Sequence, residues 1–236
     1  MKLSVIICCY NEVNTIIEVI EKTQEVNLGR GWTREIVVID NCSTDGTREL
    51  LQQIDDPEIK TVFHEKNMGK GMSIRTGIAN MSGDYMLIQD ADLEYDPFEH
   101  GRFTQYVDQH QPDALFGSRL LGGEVRTKYW RTLMGNRFLT WINNILFRGG
   151  LTDVATATKM VRADVVQSLN LTTTDFNLDF ELPGKILLAG YKIDEIPISY
   201  RPRTYEEGKK IKAIDAVYAV RTMLRDRLGL SPVLKK

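Results

Sequence analysis

The first half of the chain alternates short apolar runs with stretches of helical spacing. Leu3 to Cys9 is apolar throughout except for Ser4, which predicts a strand buried on both faces. Glu12 to Val26 sets Ile16, Ile17, Val19 and Ile20 at helical spacing. A second strand is predicted over Glu35 to Asp40. Thr44-Asp45-Gly46-Thr47 then opens a helix through Leu50, Leu51 and Ile54, with Ser43 or Thr44 expected as its cap and Asp45 complementing its dipole. Lys60 to Phe63 predicts a third strand, Gly71 to Met81 a helix, Tyr85 to Ile88 a fourth strand, and Ala114 to Phe116 a fifth. A further helix is expected after Pro97, capped by Asp96, because proline suits a first helical turn.

Short apolar strands separated by helices define an α/β class with a mostly parallel central sheet flanked by helices. Ligands of such sheets bind beyond the carboxyl ends of the strands. Tyr10-Asn11-Glu12, Asp40-Asn41 and Asp90-Ala91-Asp92 all fall at such ends and should meet in one cleft. The second half is less regular. It predicts helices over Tyr129 to Phe147 and Phe180 to Ala189, an edge-like strand over Tyr191 to Tyr200 that contains Pro197, and a closing amphipathic helix over Ile211 to Leu228. Without repeats or linkers, this reads as one domain over 1–200, with a basic loop and C-terminal helix extending it over 201–236.

Composition narrows the class only modestly. The chain has 236 residues, 42% of them hydrophobic and 26% charged, as in a soluble globular protein. A net charge of -2 argues against nucleic acid as the main partner. Cys8, Cys9 and Cys42 lack zinc-ligand spacing and sit in or beside predicted strands, so buried reduced thiols are expected. The apolar N-terminus is too short for a signal peptide, and no run approaches the roughly 18–20 apolar residues of a membrane span. A cytoplasmic protein is predicted, peripheral on the cytoplasmic face of a membrane. The pointer to lipid is Trp130, Met134, Phe138, Trp141, Ile142 and Ile145 at helical spacing beside Lys128, Arg131, Arg137 and Arg148, with no acidic residue from Val125 to Thr152. Such a face suits an anionic lipid surface. The alternatives are packing on the sheet, on a second copy of the chain, or on a separate membrane anchor.

The stretch "LIQDADLEYDP", residues 87–97, holds four carboxylates in eleven positions. Crowded carboxylates raise each other's pKa unless a cation neutralises them. Asp90 and Asp92 suit a hard cation such as Mg²⁺ or Mn²⁺, which takes oxygen ligands and shares its shell with phosphates, and Glu94 offers a third oxygen. Two other motif readings fail. A calcium loop starting at Asn41 would close on Gln52 instead of a glutamate, and Asn67-Met68-Gly69-Lys70-Gly71 lacks P-loop spacing. No Gly-x-Gly-x-x-Gly follows the first strand, which disfavours a dinucleotide fold.

Taken in order, Cys9-Tyr10-Asn11-Glu12, Asp40 with Ser43-Thr44-Asp45-Gly46-Thr47, Asn67-x-Gly69-Lys70-Gly71 with Arg75 and Gly77, and Gln89-Asp90-Ala91-Asp92 resemble the inverting family-two glycosyltransferases of GT-A fold. The resemblance implies a nucleotide-sugar donor, UDP- or GDP-linked. Cys8, Tyr10, Glu12 and Asp40 would lie at the nucleoside, and Asp90-Ala91-Asp92 at the metal-bridged diphosphate. Downstream, Gly117-Ser118-Arg119, Asp153 ahead of Thr158-Lys159, and Glu195-Ile196-Pro197-Ile198-Ser199-Tyr200 with Arg203 and Lys209 are similar to dolichyl-phosphate mannose synthases and polyprenyl-phosphate glycosyltransferases. That implies a polyprenyl phosphate acceptor, with Arg119 and Arg203 on phosphates, Lys185 and Lys209 as further cations, and Asp153 organising a basic residue or the acceptor side. Glu94 departs from the Gln frequent in mannose synthases, which bears on the donor sugar.

A phosphate monoester is largely dianionic at pH 7 and needs cationic positioning more than a general base. Transfer to a sugar hydroxyl would need a base, for which Asp153, Asp179 or Glu181 is available. A non-catalytic nucleotide-sugar-binding subunit is the remaining alternative.

Overall fold

The computed structural model describes residues 1–121, 130–202 and 214–230. Seven strands, β1 (Lys2–Cys9), β2 (Thr33–Asp40), β3 (Ile59–Phe63), β4 (Tyr85–Asp90), β5 (Ala114–Ser118), β6 (Lys159–Arg162) and β7 (Ile193–Pro197), form one sheet in the order β3-β2-β1-β4-β6-β5-β7. Among the described residues eight α-helices accompany them: α1 (Ile16–Glu25), α2 (Thr47–Gln52), α3 (Lys70–Asn80), α4 (His100–His110), α5 (Trp130–Phe147), α6 (Ala163–Ser168), α7 (Leu178–Leu188) and α8 (Ile214–Arg227).

The apolar runs become strands because both of their faces are covered. Leu3, Val5, Ile7 and Cys9 of β1 join one core with Val19, Ile36, Leu87 and Phe103, while Ile6 joins the core on the other face with Ile74, Met86 and Phe116. The period of two along one strand thus feeds two cores. A third cluster joins Leu139 and Phe147 of α5 to Ala219 and Met223 of α8, so the C-terminal helix packs onto the body of the protein.

The chain departs from the sequence-based pattern in three places. β6, four residues long with Lys159 and Arg162 as its ends, pairs antiparallel with both β4 and β5. No alternation of strand and helix signals it, and it makes the sheet mixed. The short α6 follows it. Neither Ser43 nor Thr44 caps α2: Gly46 takes that position with φ 103°, and Asp45 accepts the Thr47 amide at 3.0 Å. Asp96 does accept the Phe98 amide at 3.1 Å, at the start of a single 3-10 turn that leads into α4. β7 is an edge strand, the position in which Pro197 is tolerated.

β1 leads through β2 to β3 on one side of the sheet, and β4 lies on the other side of β1. The strand order therefore reverses between β1 and β4, where open α/β sheets form their ligand crevice.

Candidate active site

Four loops meet at that crevice because their polar side chains satisfy one another's backbones. After β1, the Asn11, Glu12 and Val13 amides donate to Ser43 Oγ, Thr47 Oγ1 and Asp45 Oδ2 at 2.9, 3.0 and 3.1 Å, and Asn11 Oδ1 accepts the Thr44 amide. This explains why Ser43 and Thr44 are not caps: they tie the β2 loop to the β1 loop. Thr15 Oγ1 donates to the Ala91 carbonyl at 2.7 Å, which anchors the β4 loop. Asn41 donates to Asn67 Oδ1 and accepts from the Met68 amide, bringing in the glycine loop before α3. Asn11, Cys42 and Leu93, three of five described non-glycine residues with positive φ, lie in these loops. Such geometry persists only where surrounding contacts over-determine it, and it gathers at ligand sites. The resulting cleft, about 500 Å³, is lined by Glu12, Asp92 and Arg201 with Asn11, Val13, Asn14, Thr15 and Pro202.

Two charged clusters flank the strand ends. In the first, Lys70 Nζ lies 2.7 Å from Asp90 Oδ1 and 3.7 Å from Asp179 Oδ2. Asp179 in turn meets Lys159 Nζ at 3.2 Å. Lys159 is wholly buried, bonded to the Thr156 carbonyl and lying 5.4 Å above the Phe116 ring centre. Burial works against protonation of Lys70, but Asp179 and Asp90 outweigh it and raise its pKa well above the usual value. Burial pushes Asp179 up, yet Lys159 and Lys70 bring it below the usual range. For Lys159 burial prevails, and its pKa is lowered. Lys70 reaches this position because α3 begins against the 173–175 backbone. A side chain at Gly69 would collide with the Thr174 carbonyl, and one at Gly71 would come within 2.6 Å of the Asp175 carbonyl oxygen.

The second cluster is built on Arg119. Its Nε and Nη2 donate to the two oxygens of Asp153 at 2.6 and 2.7 Å, and its amide donates to the same carboxylate at 3.1 Å. Nη1 donates to the Tyr95 hydroxyl at 3.1 Å, and the Tyr200 ring lies 5.0 Å from the guanidinium. Among the described residues, three of the five N–H donors are engaged, which leaves two for a ligand. Glu195 fixes the Asp153 segment by accepting the Thr152 and Asp153 amides at 2.7 and 3.0 Å.

The other expected site residues are placed unevenly. Tyr10 and Glu12 are half-buried at the end of β1. Cys8 sits beside Asp90 in register, and burial pushes its thiol up, so it stays neutral. Asp40 is wholly buried, paired with Arg48 at 2.7 Å and accepting the Ser43 amide, so its carboxylate is not open to the cleft. Lys185 bonds Glu181 at 2.7 Å and the Asn170 carbonyl. Glu181 and Lys185, four residues apart, share one side of α7, while Asp179, two residues before Glu181, points the other way. Lys185 is therefore turned from the cluster that Asp179 serves. Lys128, Arg203 and Lys209 lie outside the described residues.

The three-carboxylate metal set is not assembled. Glu94 accepts a bond from the Tyr200 hydroxyl at 2.9 Å, and among the described residues no three His, Cys, Asp or Glu side chains come together to hold a metal ion. Asp90 and Asp92 remain, two hard oxygen donors that fit a Mg²⁺ or Mn²⁺ ion drawing the rest of its shell from phosphate and water.

Sequence reasoning did not single out Lys70, Tyr95 or Lys159 as site residues. Lys70 and Lys159 stood inside recognised motifs without a role, Tyr95 is marked only by burial, and β6, which carries Lys159, is itself invisible to periodicity.

A mixed sheet with its ligand crevice at the β1–β4 switch point and an Asp-Ala-Asp at its lip is the GT-A fold of nucleotide-sugar glycosyltransferases. It resembles the S. aureus TarS 1–349 structure in complex with UDP-GlcNAc (TM-score 0.64, 18% identity, 100% of this chain and 68% of that one). It also resembles glucosyl-3-phosphoglycerate synthase of Mycobacterium tuberculosis in complex with Mn²⁺, UDP and phosphoglyceric acid (TM-score 0.66, 20% identity, 98% and 80%). The chain belongs to glycosyl transferase family 2, matched over residues 4–169. It is 28% identical over 221 residues to a dolichol-phosphate mannosyltransferase of Pyrococcus furiosus. It is 34% identical over 130 residues to an undecaprenyl-phosphate 4-deoxy-4-formamido-L-arabinose transferase of Salmonella paratyphi B. These matches cover 89% and 49% of this chain, which spans only 59% and 39% of the two relatives' lengths.

Proposed function

We propose that this enzyme transfers a sugar from a UDP- or GDP-linked donor to the phosphate of a polyprenyl phosphate, with inversion at the sugar. The supporting observation is the state of the three carboxylates that would serve as a base toward a hydroxyl acceptor. Asp153 is gripped at both oxygens by Arg119, and Asp179 lies between two lysines. Glu181 accepts bonds from Thr172, Thr173 and Lys185. Burial alone would raise its pKa, but these bonds hold it down at about 2. Asp179 and Glu181, both lowered below the usual carboxylate range, are poor proton acceptors, and both oxygens of Asp153 are already occupied by Arg119. A phosphate acceptor arrives already ionised and asks only to be positioned.

In this reading Tyr10 and Glu12 bind the nucleoside, with Cys8 beside them, while the buried Asp40, paired with Arg48 and the Ser43 amide, holds the loop behind them in shape. Asp90 and Asp92 would hold Mg²⁺ or Mn²⁺, which when bound would supply positive charge toward a sugar-nucleotide diphosphate. Arg119 presents its two remaining N–H groups to the acceptor phosphate, held in orientation by Asp153, and the family resemblance assigns further positive charge to Arg203 and Lys209. Names of relatives carrying dolichol and undecaprenyl phosphates support the acceptor class.

A lipid acceptor calls for a membrane-facing surface, and α5 supplies one. Met134, Phe138, Trp141 and Ile145 are each more than half exposed along one stripe, and the Phe138 and Trp141 rings stack at 6.1 Å. Arg137 and Arg148 are exposed on the same element and just after it. No described helix is long and apolar enough to cross a membrane. The enzyme in this reading lies on the cytoplasmic face through α5, with a second copy or an anchoring subunit as the competing occupant of the stripe.

The test is a mass-spectrometric screen of nucleotide sugars against undecaprenyl and dolichyl phosphate, with and without EDTA. One donor is expected to give a lipid-linked sugar that EDTA abolishes. Absence of product with every donor, or a yield indifferent to EDTA, contradicts the proposal.

A further inference from the structure

We infer that Lys70 is the resident counter-ion of Asp90 and competes with the divalent cation for it, so that metal binds the donor-free enzyme weakly and enters together with the nucleotide sugar. The inference rests on the reading of Asp90 and Asp92 as metal ligands. The ammonium already stands where a cation on Asp90 would act, at 2.7 Å from Oδ1.

Lys70 also has somewhere to go. Asp179 lies 3.7 Å away on its other side, so leaving Asp90 does not strand a buried charge. Lys159, 3.2 Å from Asp179 and locked in place by burial and the Thr156 carbonyl, keeps Asp179 ionised and ready to receive it. An ammonium on a four-carbon stem suits such an exchange, since it bonds as a point charge without the fixed fork of a guanidinium.

Electrostatics favours joint entry. A divalent cation reaching Asp90 alone would stand against the Lys70 ammonium, and repulsion between the two cations in a half-buried site opposes it. The two negative charges of a sugar-nucleotide diphosphate offset those of the ion, so the pair enters without that opposition. Lys70 thereby acts as a positioning residue that holds Asp90 in place for the cation and discourages futile metal binding.

The experiment measures Mn²⁺ binding by the loss of the free-ion EPR signal, with and without UDP, for the full-length wild type, K70M and K70R. K70M should bind Mn²⁺ without nucleotide at least about tenfold more tightly than wild type, since it removes one cation in contact with the ligand oxygen. K70R, which keeps the charge, should stay near wild type, and the gain from K70M should shrink when UDP is present. K70Q carries the same expectation should K70M not fold. Donor-free affinity unchanged or weakened in K70M or K70Q overturns the inference. If wild type binds Mn²⁺ with UDP and D92N does not, that failure leaves the metal-site reading standing. If no Mn²⁺ binds even with UDP, both fall.

Discussion

The Arg119 and Lys70 clusters put cations at the same rim of the sheet by opposite means. Arg119 is clamped: two guanidinium bonds and one amide bond reach a single carboxylate, a tyrosine ring covers its face, and Glu195 holds the segment behind it. Lys70 is shared, at 2.7 and 3.7 Å from two carboxylates on different elements. A planar fork with two matched bonds specifies direction as well as charge, whereas an ammonium supplies charge alone. One region is therefore suited to orient an incoming anion, and the other to exchange one cation for another. A third cluster, around Glu181, uses the same kinds of groups on the opposite side of α7 and serves as the comparison's control.

The largest effect should come from removing the cation site itself. D92N is expected to lower turnover on the order of 10³-fold while leaving the fold intact, because charge developing on the diphosphate loses its counter-ion. Thermal melting checks the fold, and a turnover within tenfold of wild type would remove Asp92 from the site. Next, R119K turns the clamped cluster into a shared one. We expect a fall in kcat/KM for the acceptor of about 10²-fold with donor KM little changed, measured by steady-state kinetics with each substrate varied in turn. An equal rise in both KM values would break the distinction between the clusters.

A smaller change tests the surface next to them. The double variant F138D/W141D should reduce partition onto anionic phosphatidylglycerol vesicles at least about tenfold in sedimentation, with turnover on a short water-soluble polyprenyl phosphate retained. Unchanged partition, accompanied by a change in sedimentation coefficient, would give the stripe to a second copy.

The control cluster should affect stability and not chemistry. Glu181 is brought from 4.5 to about 2 in the folded state, with burial opposing and Lys185 and the two threonines prevailing. Its contribution is therefore full above pH 4.5 and is lost as pH falls toward 2. In urea titrations E181Q should be less stable than wild type at pH 7, and the gap should shrink by roughly 3 kcal/mol across that acid window. Its pH–rate profile should match wild type. A shifted profile would return Glu181 to the list of bases.

Much of this was legible in the sequence. Strands buried on both faces write themselves as apolar runs, so β1 to β5 and the loops after β1, β2 and β4 could be placed from pattern alone. Asp90, Asp92, Glu12 and Arg119 followed from those ends and from family motifs. What stayed hidden depends on partners remote in sequence. Asp40 reads as a free strand-end carboxylate until Arg48 folds back onto it, and Glu94 as a third metal ligand until Tyr200 arrives from 106 residues away. Lys185 reads as one more cation until its helix turns it onto Glu181. β6 carries no periodic signal in four residues, and although Lys159 stood in a motif, its burial against Asp179 is something only the fold reveals.

The central claim, that the acceptor is a phosphate positioned by cations and not a hydroxyl activated by a base, is tested most directly by paired acceptors. With the donor identified in the screen, the enzyme is offered a polyprenyl phosphate and the matching free polyprenol or a soluble saccharide, and lipid- or saccharide-linked product is counted by mass spectrometry. The account predicts product from the phosphate alone. Comparable product from a hydroxyl acceptor would contradict it.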